Sequence, residues 1–524
     1  MPSNSPSPLA VLEPRLRSLL PADLYAHAWL DPSPATLTRV FEHLRTLQHS
    51  LHHYLPRYVA ESPPTPGQMR HAWQEGTLMF TDLAGFTPLL EANVGRGQEG
   101  AETLLAVLNA YFAEMIEIIS KSGGNLLEFT GDALLAQFPT DQRRNDIAQA
   151  VRAGMRMQRA MARFADLDTP QGKVSLHMRI GIHAGRFLTA DIGTPRRMEH
   201  VLLGACVLNA KRAEAAGQVG RVCLTEAMRE RVRDHFRLEA GQPGYALVLD
   251  DLSTGQLGEY DIAPPSRRLA SSMLFDRSIA GITAEIEKAV ALVEPLASYL
   301  PGPVLDLLIE SAARRKIPPD FPAPTVVFVN LIGLPESVDR ALPGEEGGLV
   351  SSISRAFALI NAATEAHSGV LKKVTYQQAG SDIVLYFGAP TGHADDTLRA
   401  ASAALAIRDI VARLAPTTVG GAPVHTVCQV GLARGRAFSA EVGEPRGRRE
   451  FNVLGDTVNT AARLMNRAGE NQILITASVH KEIASRFECE PLEPITLKGK
   501  TSPVPVYELR AARPSDQATS AQPT

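Results

Sequence analysis

The sequence predicts an α+β protein made by tandem duplication, in which a short helical segment precedes each of two copies. Two observations predict this fold class. Similar segments recur along the 524-residue chain at a nearly constant offset of 248 to 251 residues, which indicates repeated structural units. Within each copy, apolar residues at helical spacing alternate with stretches in which every second residue is apolar.

The repeat is carried by five pairs of matching positions. They are Asp82 and Asn330, Gly131 and Gly380, Gly181 and Gly431, Gly204 and Gly455, and Arg212 and Arg463. In addition, the segment LHHYLP at 51–56 resembles LASYLP at 296–301. Because this last match lies ahead of each domain, we expect the duplicated unit to include the helical segment as well.

The chain divides into five predicted regions, and two of the boundaries are marked by proline-rich runs. These runs are ESPPTPG at 61–67 and KIPPDFPAPT at 316–325. The predicted regions are an N-terminal helical segment at 1–75, a first domain at 76–263, a helical linker at 264–322, a second domain at 323–512 and a polar, disordered tail at 513–524.

Periodicity predicts the main elements of the first domain. Apolar residues at three- and four-residue spacing predict a helix at 101–121, which the run Ser122-Gly123-Gly124 ends. Two apolar pairs flank Thr130-Gly131-Asp132, and they predict a hairpin with Gly131-Asp132 at its turn. Alternation from Val174 to Ile182 predicts a half-buried strand. Helices that match each other in the two copies are expected at 144–163 and 395–414.

Composition excludes several classes of function. Lys plus Arg (53) nearly balances Asp plus Glu (56), whereas a protein that coats nucleic acid needs a basic surplus. The four cysteines form no CxxC pair, which favours a reducing compartment over a disulfide scaffold. The sequence predicts no membrane span and no signal peptide. We therefore expect a cytoplasmic protein with no nucleic acid among its partners.

Three segments resemble the class III nucleotidyl cyclases. The run from Phe80 to Thr87, followed by Gly131-Asp132, resembles the two metal-binding segments of that family. The run from Gly455 to Arg463 (GDTVNTAAR) resembles its ribose and transition-state segment. The tandem arrangement is most similar to the soluble, bicarbonate-responsive adenylyl cyclases.

The resemblance implies the architecture in more detail. Each copy would be a ferredoxin-like cyclase domain, and the two would pair head to tail as an intramolecular pseudo-heterodimer, so that a monomer is plausible. In this family the active sites form where two domains meet. The reaction is in-line attack of a ribose 3′-oxygen on the α-phosphorus of a nucleoside triphosphate, which releases pyrophosphate.

The two copies have lost complementary residues. The resemblance implies that Asp82, the adjacent Leu83 and Asp132 bind two divalent ions, Mg²⁺ or Mn²⁺, for which carboxylates are suitable ligands. The second copy has Asn330 and Ser381 in place of the two aspartates, and these cannot supply two negative charges.

The loss runs the other way in the substrate segment. The resemblance implies that Asn459 orients the ribose and that Arg463 stabilises the pentavalent phosphorus. The first copy has Leu208 where the second has Asn459. We therefore expect one active site, with metals from the first domain and substrate groups from the second, and a degenerate second site.

Further residues are expected to bind the triphosphate. The loop after Asp82 leads into a predicted helix, whose first N–H groups form an anion site. The expected ligands are Gly85, Phe86 and Thr87 in this loop, Arg196 or Arg197, and Lys498 and Lys500 before the last strand.

The residues that would recognise the base leave alternatives open. Lys373 matches the adenine-reading Lys of the soluble adenylyl enzymes, whereas Gln377 occupies the position that other subfamilies use. Asn452 stands where the family has Asp or Thr; its carbonyl could accept from adenine N6 and its amide could donate to guanine O6. We expect an adenylate cyclase that converts ATP to 3′,5′-cyclic AMP. A guanylyl cyclase and a catalytically silent nucleotide sensor are the alternatives.

The degenerate site is a possible place for a small-molecule regulator. The bicarbonate-responsive relatives have a Lys four residues before the second metal-binding Asp, whereas this chain has Glu128 there. Since a carboxylate repels an anion, bicarbonate is doubtful. His200 could instead make the site sensitive to pH.

Overall fold

The structure is a computed structural model that describes residues 9–140, 145–170, 172–258, 276–311, 317–377, 380–444, 447–497 and 502–514. The chain divides into two compact units. Unit 1 comprises Met1–His200, Cys206–Asp320 and Ala440–Asn452, and unit 2 comprises Val201–Ala205, Phe321–Ser439 and Val453–Thr524.

Unit 1 is built on a large mixed sheet. The strands of the first copy are β1 (Arg70–Ala84), β2 (Asn125–Thr130), β3 (Ala133–Pro139), β4 (Leu167–Thr169), β5 (Gly172–Val174), β6 (His177–Thr194), β7 (Arg197–Leu203), β8 (Val222–Thr225), β9 (Leu238–Ala240) and β10 (Tyr245–Val248). The order in the sheet is β2-β3-β1-β6-β8-β10-β9, with β7 paired to β6. The pairing of β6 with β8 is parallel, whereas β1 is antiparallel to both of its neighbours.

Helices precede this sheet and cover it. Those of the first half are α1 (Glu13–Arg17), α2 (Ala22–Leu30), α3 (Pro34–His52), α4 (Arg57–Glu61), α5 (Phe86–Val94), α6 (Gly97–Lys121), α7 (Asp146–Ala160), α8 (Ala205–Ala216) and α9 (Glu226–Val232), and those that follow along the chain before the second copy's strands are α10 (Ile279–Ala297) and α11 (Gly302–Ser311). The helices expected at 101–121 and 144–163 are confirmed as α6 and α7. The predicted hairpin is also confirmed, because Thr130 pairs with Ala133 across a Gly131-Asp132 turn.

Unit 2 contains a second sheet of the same design. Its half of the chain has strands β11 (Thr325–Ile332), β12 (Val370–Gln377), β13 (Gly380–Phe387), β14 (Thr417–Val419), β15 (Ala422–Val424), β16 (Val427–Arg434), β17 (Phe438–Gly443), β18 (Arg449–Leu454), β19 (Gln472–Thr476), β20 (Phe487–Pro491) and β21 (Val506–Ala512), and helices α12 (Glu346–Ala366), α13 (Asp396–Ala412), α14 (Asp456–Met465) and α15 (Ala477–Ile483). The sheet order β12-β13-β11-β16-β19-β21-β20 repeats that of unit 1, strand for strand. The duplication read from the sequence is therefore confirmed in the topology, and α13 confirms the helix expected at 395–414.

The helices that precede the two sheets pack together within unit 1. The apolar stripe of α3, which includes Leu37, Val40 and Leu44, is fully buried, and α3 packs along α10. Arg15 donates through Nε to Glu294 at 2.7 Å and through Nη2 at 2.5 Å. We call α1–α4 the first lead and α10–α11 the second lead. The domain limits drawn from the sequence stay a prediction.

The strand predicted at 174–182 differs from the structure. It begins at His177 and continues to Thr194, because the alternation of apolar residues extends past the predicted end. We call residues 187–203 of β6 and β7 the first arm. The matching segment of the second copy, the β17–β18 hairpin at 438–454, is called the second arm.

One helix within the described ranges, α6, is long and apolar enough to cross a membrane. Half of its most apolar stretch is buried inside the protein, and residues such as Leu104, Leu108 and Met115 belong to the core. Its position against β2 accounts for this composition.

Candidate active site

The two aspartates predicted to bind metal lie at the same end of the unit 1 sheet. Asp82 is near the end of β1, and Asp132 lies in the turn between β2 and β3. The β1–β3 ladder ends at the pair Thr81–Leu134, so the two strands separate just before the carboxylates. Both residues are half-buried.

A guanidinium and a third carboxylate complete this acidic group. Arg179, directly opposite Asp82 in the ladder, donates through Nη2 to Asp82 Oδ2 at 2.5 Å. Its Nε lies 2.8 Å from Glu214 Oε1. Burial, followed by the charges of Asp82 and Glu214, raises the pKa of Asp132 to about 7. The carboxylates therefore lie close enough to repel each other.

This arrangement fits divalent cations. Repulsion between Asp82 and Asp132 is the situation that a shared cation relieves, and carboxylate oxygens are the ligands that Mg²⁺ prefers. Within the described ranges, no group of three or more His, Cys, Asp or Glu side chains could hold a metal. The remaining ligands would come from backbone carbonyls, water and phosphates, as is usual for Mg²⁺.

The loop after Asp82 packs closely against the backbone of Ser175. Gly85 has φ +95°, and a Cβ there would lie 2.4 Å from the carbonyl oxygen of Ser175, so only glycine fits. Helix α5 begins at Phe86, and its N-terminus has no side-chain cap.

The matching loop of the second copy is closed by its own side chain. Gly333 also has a positive φ, +111°, but its N–H donates to Glu336 Oε2 at 2.8 Å. A 3-10 helix that starts at Pro335 follows, and proline has no N–H to offer. An internal carboxylate thus accepts from the N–H of the glycine that matches Gly85.

The second copy has also closed the sheet where the first copy opens it. The β11–β13 ladder continues through the pairs Asn330–Asp382 and Leu331–Ser381. Asn330 Nδ2 donates to Gln429 Oε1 at 3.1 Å, so a neutral amide pair replaces the Asp82–Arg179 ion pair. All of these residues but Gln429 are buried. The register confirms that Asn330 and Ser381 match Asp82 and Asp132.

The substrate segment of the second copy forms α14 in unit 2. Gly455 precedes it at φ +136°, and the buried face of the helix packs on β16 and β11. Asn459 is exposed and Arg463 is half-buried. Four residues apart, they lie on one helix face, and neither side chain has a hydrogen-bonding partner within the described ranges.

The matching helix of the first copy, α8, is different. Leu208, at the position of Asn459, is buried in the core, whereas Arg212 is exposed. The first copy therefore has no polar side chain at the position expected to orient a ribose.

Lys373 follows a β-bulge that both copies share. The register of β12 shifts between Leu371 and Lys373, and that of β2 shifts between Leu126 and Glu128. Bulges re-aim side chains and are common beside active sites. Glu128 in the first copy and Lys373 in the second therefore occupy equivalent positions with opposite charge.

Asn452 lies on the second arm, within unit 1. It is only 4% exposed, and its Nδ2 has no hydrogen-bonding partner within the described ranges. The arm docks on β2, which leads to Asp132: Arg448 Nη2 donates to the carbonyl of Leu127 at 3.3 Å. Leu127 is the residue that the bulge leaves out of the ladder.

The sequence profile of the adenylate and guanylate cyclase catalytic domain matches residues 70–244 and 323–510. The chain belongs to this family. Its two matched segments each contain most of one sheet, so both copies are cyclase domains of the ferredoxin-like α+β type.

Named relatives and a solved structure agree with this assignment. Adenylate cyclase type 10 of Oryctolagus cuniculus is 24% identical over 79% of this chain, and that of Mus musculus is 23% identical over 87%. The chain spans about a quarter of the length of these relatives, 25% and 27% respectively. A class III adenylyl cyclase-like ATP-binding protein from Pseudomonas aeruginosa shares the fold, with a TM-score of 0.54, 14% identity and coverage of 85% of this chain and 93% of that one.

The remaining predicted residues of the cyclase domains lie in varied surroundings. Arg196 is exposed at the tip of the first arm. Arg197 is buried, where it donates to the carbonyl of Tyr299 at 2.9 Å and to Glu199 at 2.6 Å. The contact with Tyr299 joins the arm to the second lead, and of the two arginines it is Arg196 that is exposed. Lys498 and Lys500 lie outside the described residues.

Sequence reasoning missed two groups in the cyclase domains. Arg179 and Glu214 form an ion pair around Asp82, and the repeat alignment contained a signal for Arg179, because the matching residue is the uncharged Gln429. The cap that Glu336 provides had no such signal, since its partner is a backbone N–H.

Proposed function

We propose that the chain is an adenylate cyclase that converts ATP to 3′,5′-cyclic AMP and pyrophosphate at one active site. The metal-binding carboxylates come from the first copy and the ribose and transition-state groups from the second. The observation that carries the proposal is the division of residues between copies. The first keeps Asp82 and Asp132 at an open sheet end, and the second keeps Asn459 and Arg463 on α14.

The degenerate copy supports the proposal physically. An acidic group is costly to maintain in a folded protein without a ligand, since like charges repel. The second copy lacks this repulsion, because Asn330 and Gln429 form a neutral pair there and the β11–β13 ladder continues through that position. The first copy has kept it, which is expected of a site that still binds cations.

Asp82, Asp132 and the backbone at Leu83 would hold two Mg²⁺ or Mn²⁺ ions. Bound there, the ions supply positive charge that lowers the pKa of the ribose 3′-hydroxyl and neutralises the phosphates. Gly85 lets the backbone approach the triphosphate, while Phe86 and Thr87 present the first N–H groups of α5. Arg196, Lys498 and Lys500 add charge for the β- and γ-phosphates.

The second copy then orients the nucleotide and stabilises the transition state. The Asn459 amide would hold the ribose, so that its 3′-oxygen lies in line with the α-phosphorus. The Arg463 guanidinium would donate to the pentavalent phosphorus, where charge grows during attack. Neither side chain has a hydrogen-bonding partner among the residues that the structure describes, which supports their availability for a ligand.

Lys373 favours adenine in this proposal. An ammonium can only donate, and N1 of adenine accepts, whereas N1 of guanine carries a hydrogen. The Asn452 carbonyl would then accept from the adenine N6 amine. The names of the type 10 relatives agree with ATP as substrate.

A nucleotide-binding protein without turnover is the second candidate. It is favoured by the Arg179–Asp82 ion pair at 2.5 Å, because a guanidinium on a metal-binding carboxylate competes with the metal. This protein would bind ATP yet release no pyrophosphate.

We also propose a cytoplasmic compartment, a monomer and a regulatory role for the degenerate site. The described cysteines are free, as in reducing compartments. An anionic regulator is disfavoured, because the first copy has the buried carboxylate of Glu128 at the position where the second copy has Lys373.

The test is product analysis with the purified protein. ATP and GTP are each supplied with Mg²⁺ and with Mn²⁺, and cyclic nucleotide and pyrophosphate are quantified; the Asp132→Ala protein is the control. Cyclic AMP and pyrophosphate in equal amounts, absent from the control, are expected. A larger yield of cyclic GMP from GTP would instead identify a guanylyl cyclase, and ATP binding without either product would favour the second candidate.

A further inference from the structure

The first lead contacts the second arm, and the second lead contacts the first arm. These lead–arm contacts repeat in each half of the chain. Tyr54, between α3 and α4 of the first lead, donates through Oη to Glu441 of the second arm at 2.6 Å. Tyr299 at the end of α10 donates to Asp191, just beside the same position of the first arm, at 2.8 Å. These are the tyrosines of the LHHYLP and LASYLP segments.

Backbone contacts repeat in the same way. The N–H of Arg449 donates to the carbonyl of His53 at 3.0 Å, and that of Met198 donates to the carbonyl of Ser298 at 2.7 Å. One arginine of each arm also contacts the last two helices of a lead where they join: Arg448 donates to the carbonyl of His53 at 3.1 Å, as Arg197 does to that of Tyr299. Because these contacts lie at matching positions of the two copies, we infer that they belong to the duplicated unit.

The positions of the two arms depend on these lead–arm contacts to different degrees. The first arm extends β6, which is paired with β1 from His177 as far as Asp191, and Asp191 has further donors in His200 and Arg70. In the second copy, β16 ends at Arg434, and β17 and β18 pair only with each other within the described ranges.

An isolated two-stranded hairpin is marginally stable in water. The second arm is therefore held chiefly by what it packs against. Glu441 is buried together with Arg449, 3.4 Å away, and Tyr54 is the hydroxyl donor that completes its surroundings. Removal of this hydroxyl leaves a buried carboxylate with one partner fewer, whereas Asp191 without Tyr299 keeps two others.

We propose that Tyr54 is a positioning residue that sets the selectivity for the base through the second arm. Glu441 and Asn452 lie on the two strands of this hairpin, so a displacement at Glu441 is carried to Asn452 as the hairpin moves. The first arm has Val201 at the position of Asn452, and valine cannot hydrogen-bond a base. The inference rests on the proposed function, in which Asn452 contacts adenine.

The duplication supplies a matched control. Tyr54→Phe and Tyr299→Phe each remove one hydroxyl from equivalent contacts, and only the first affects the arm with Asn452. The kinetic constants for ATP and GTP are measured for both variants, together with thermal unfolding. Tyr54→Phe is expected to raise KM for ATP about fivefold to tenfold, with kcat within about twofold, and to reduce the ATP-over-GTP preference by a similar factor. Tyr299→Phe is expected to leave that preference unchanged.

A double-mutant cycle tests the route. Glu441→Ala should reproduce the effect of Tyr54→Phe on preference, and the double variant should be no worse than Glu441→Ala alone. Equal changes in preference from Tyr54→Phe and Tyr299→Phe, or additive effects in the cycle, would overturn the proposal. So would a lower unfolding temperature with an unaltered preference, because that is a structural role alone.

The failure of the proposed function is distinguishable from the failure of this inference. If the wild-type protein turns over neither nucleotide, the proposed function fails. Dissociation constants for ATP and GTP then replace KM in the same comparison. If the wild type is active and the two variants have equal preferences, only the role of Tyr54 fails.

Discussion

Arg179 on β6 and Asp82 on β1 face each other directly across the ladder of unit 1, with Nη2 and Oδ2 2.5 Å apart. The same two positions of the second copy hold Gln429 and Asn330, which share a neutral hydrogen bond of 3.1 Å. One ladder position has therefore changed from a charged pair to an uncharged pair within a single chain. A third residue differs as well. Met465 packs against Gly431 in the second copy at the position where Glu214 packs against Gly181 in the first.

Transfer of the neutral set into the first copy should retain the fold and remove the function. The variant Asp82→Asn/Arg179→Gln/Glu214→Met reproduces a set that already packs in the same topology. We expect its free energy of unfolding to lie within about 1 kcal/mol of wild type, since a neutral isostere of a buried pair is often tolerated. Cyclase activity should be lost.

Arg179→Gln alone is the control for this transfer. It removes the ion pair of Arg179 with the nearly buried Glu214 and should cost about 2 kcal/mol in chemical denaturation. If the triple variant is less stable than this single variant, the equivalence of the two sets is wrong.

Asp132 and Ser381 form a second matched pair. Asp132→Ala removes a carboxylate from the open turn of β2–β3 and should lower kcat/KM at least about 100-fold. Ser381→Ala removes a buried hydroxyl that has no hydrogen-bonding partner within the described ranges and should change activity less than about twofold. Steady-state assays of cyclic AMP formation decide between them, and similar losses would contradict a single active site.

The raised pKa of Asp132 predicts how the metal-free protein responds to pH. Burial and the Asp82 charge raise this pKa from an ordinary value of 3.8 to about 7. Between these values the unfolded chain releases a proton that the folded protein retains, so stability falls as pH rises from about 4 to about 7. Asp132→Asn should reduce that decline in thermal unfolding at low ionic strength, whereas the same change at the exposed Asp168 should not.

Metal binding should also depend on the protonation of Asp132. A cation competes with the proton on Asp132, so Mn²⁺ affinity should increase as pH rises through about 7. Calorimetric titrations in two buffers of different ionisation enthalpy should also detect proton release at pH 6. A pH-independent affinity between pH 6 and pH 8 would show that Asp132 is not a ligand.

The sequence predicted those parts of the site that a constant offset can match. Asp82 and Asn330 lie on matching strands, and Asp132 and Ser381 lie near the start of the next matching strand, so an alignment finds them. Glu128 and Lys373 are equivalent in the structure, because they pair with the matching residues Leu135 and Val384. They are nevertheless 245 residues apart in sequence, because the second hairpin has four more residues between the two paired positions. A uniform offset near 249 does not align them.

Contacts that depend on tertiary structure could not be predicted from the pattern. Tyr54 and Glu441 are 387 residues apart, and neither has a feature in sequence that points to the other. The buried position of Arg197 was missed for a related reason: its partners include a backbone carbonyl, which carries no residue-specific signal. The expected choice between Arg196 and Arg197 needed the structure of the first arm.

Gly85 provides the last prediction, which separates backbone geometry from charge. At φ +95°, a Cβ would lie 2.4 Å from the Ser175 carbonyl oxygen. Gly85→Ala should therefore cost about 2 kcal/mol or more in urea denaturation and should weaken ATP binding, because the loop must shift. Gly95 ends the same helix at φ −71° with open space around a Cβ, and Gly95→Ala should stay within about 0.5 kcal/mol. If Gly85→Ala lowers stability yet leaves ATP affinity unchanged, the loop shapes the fold but does not contact the triphosphate.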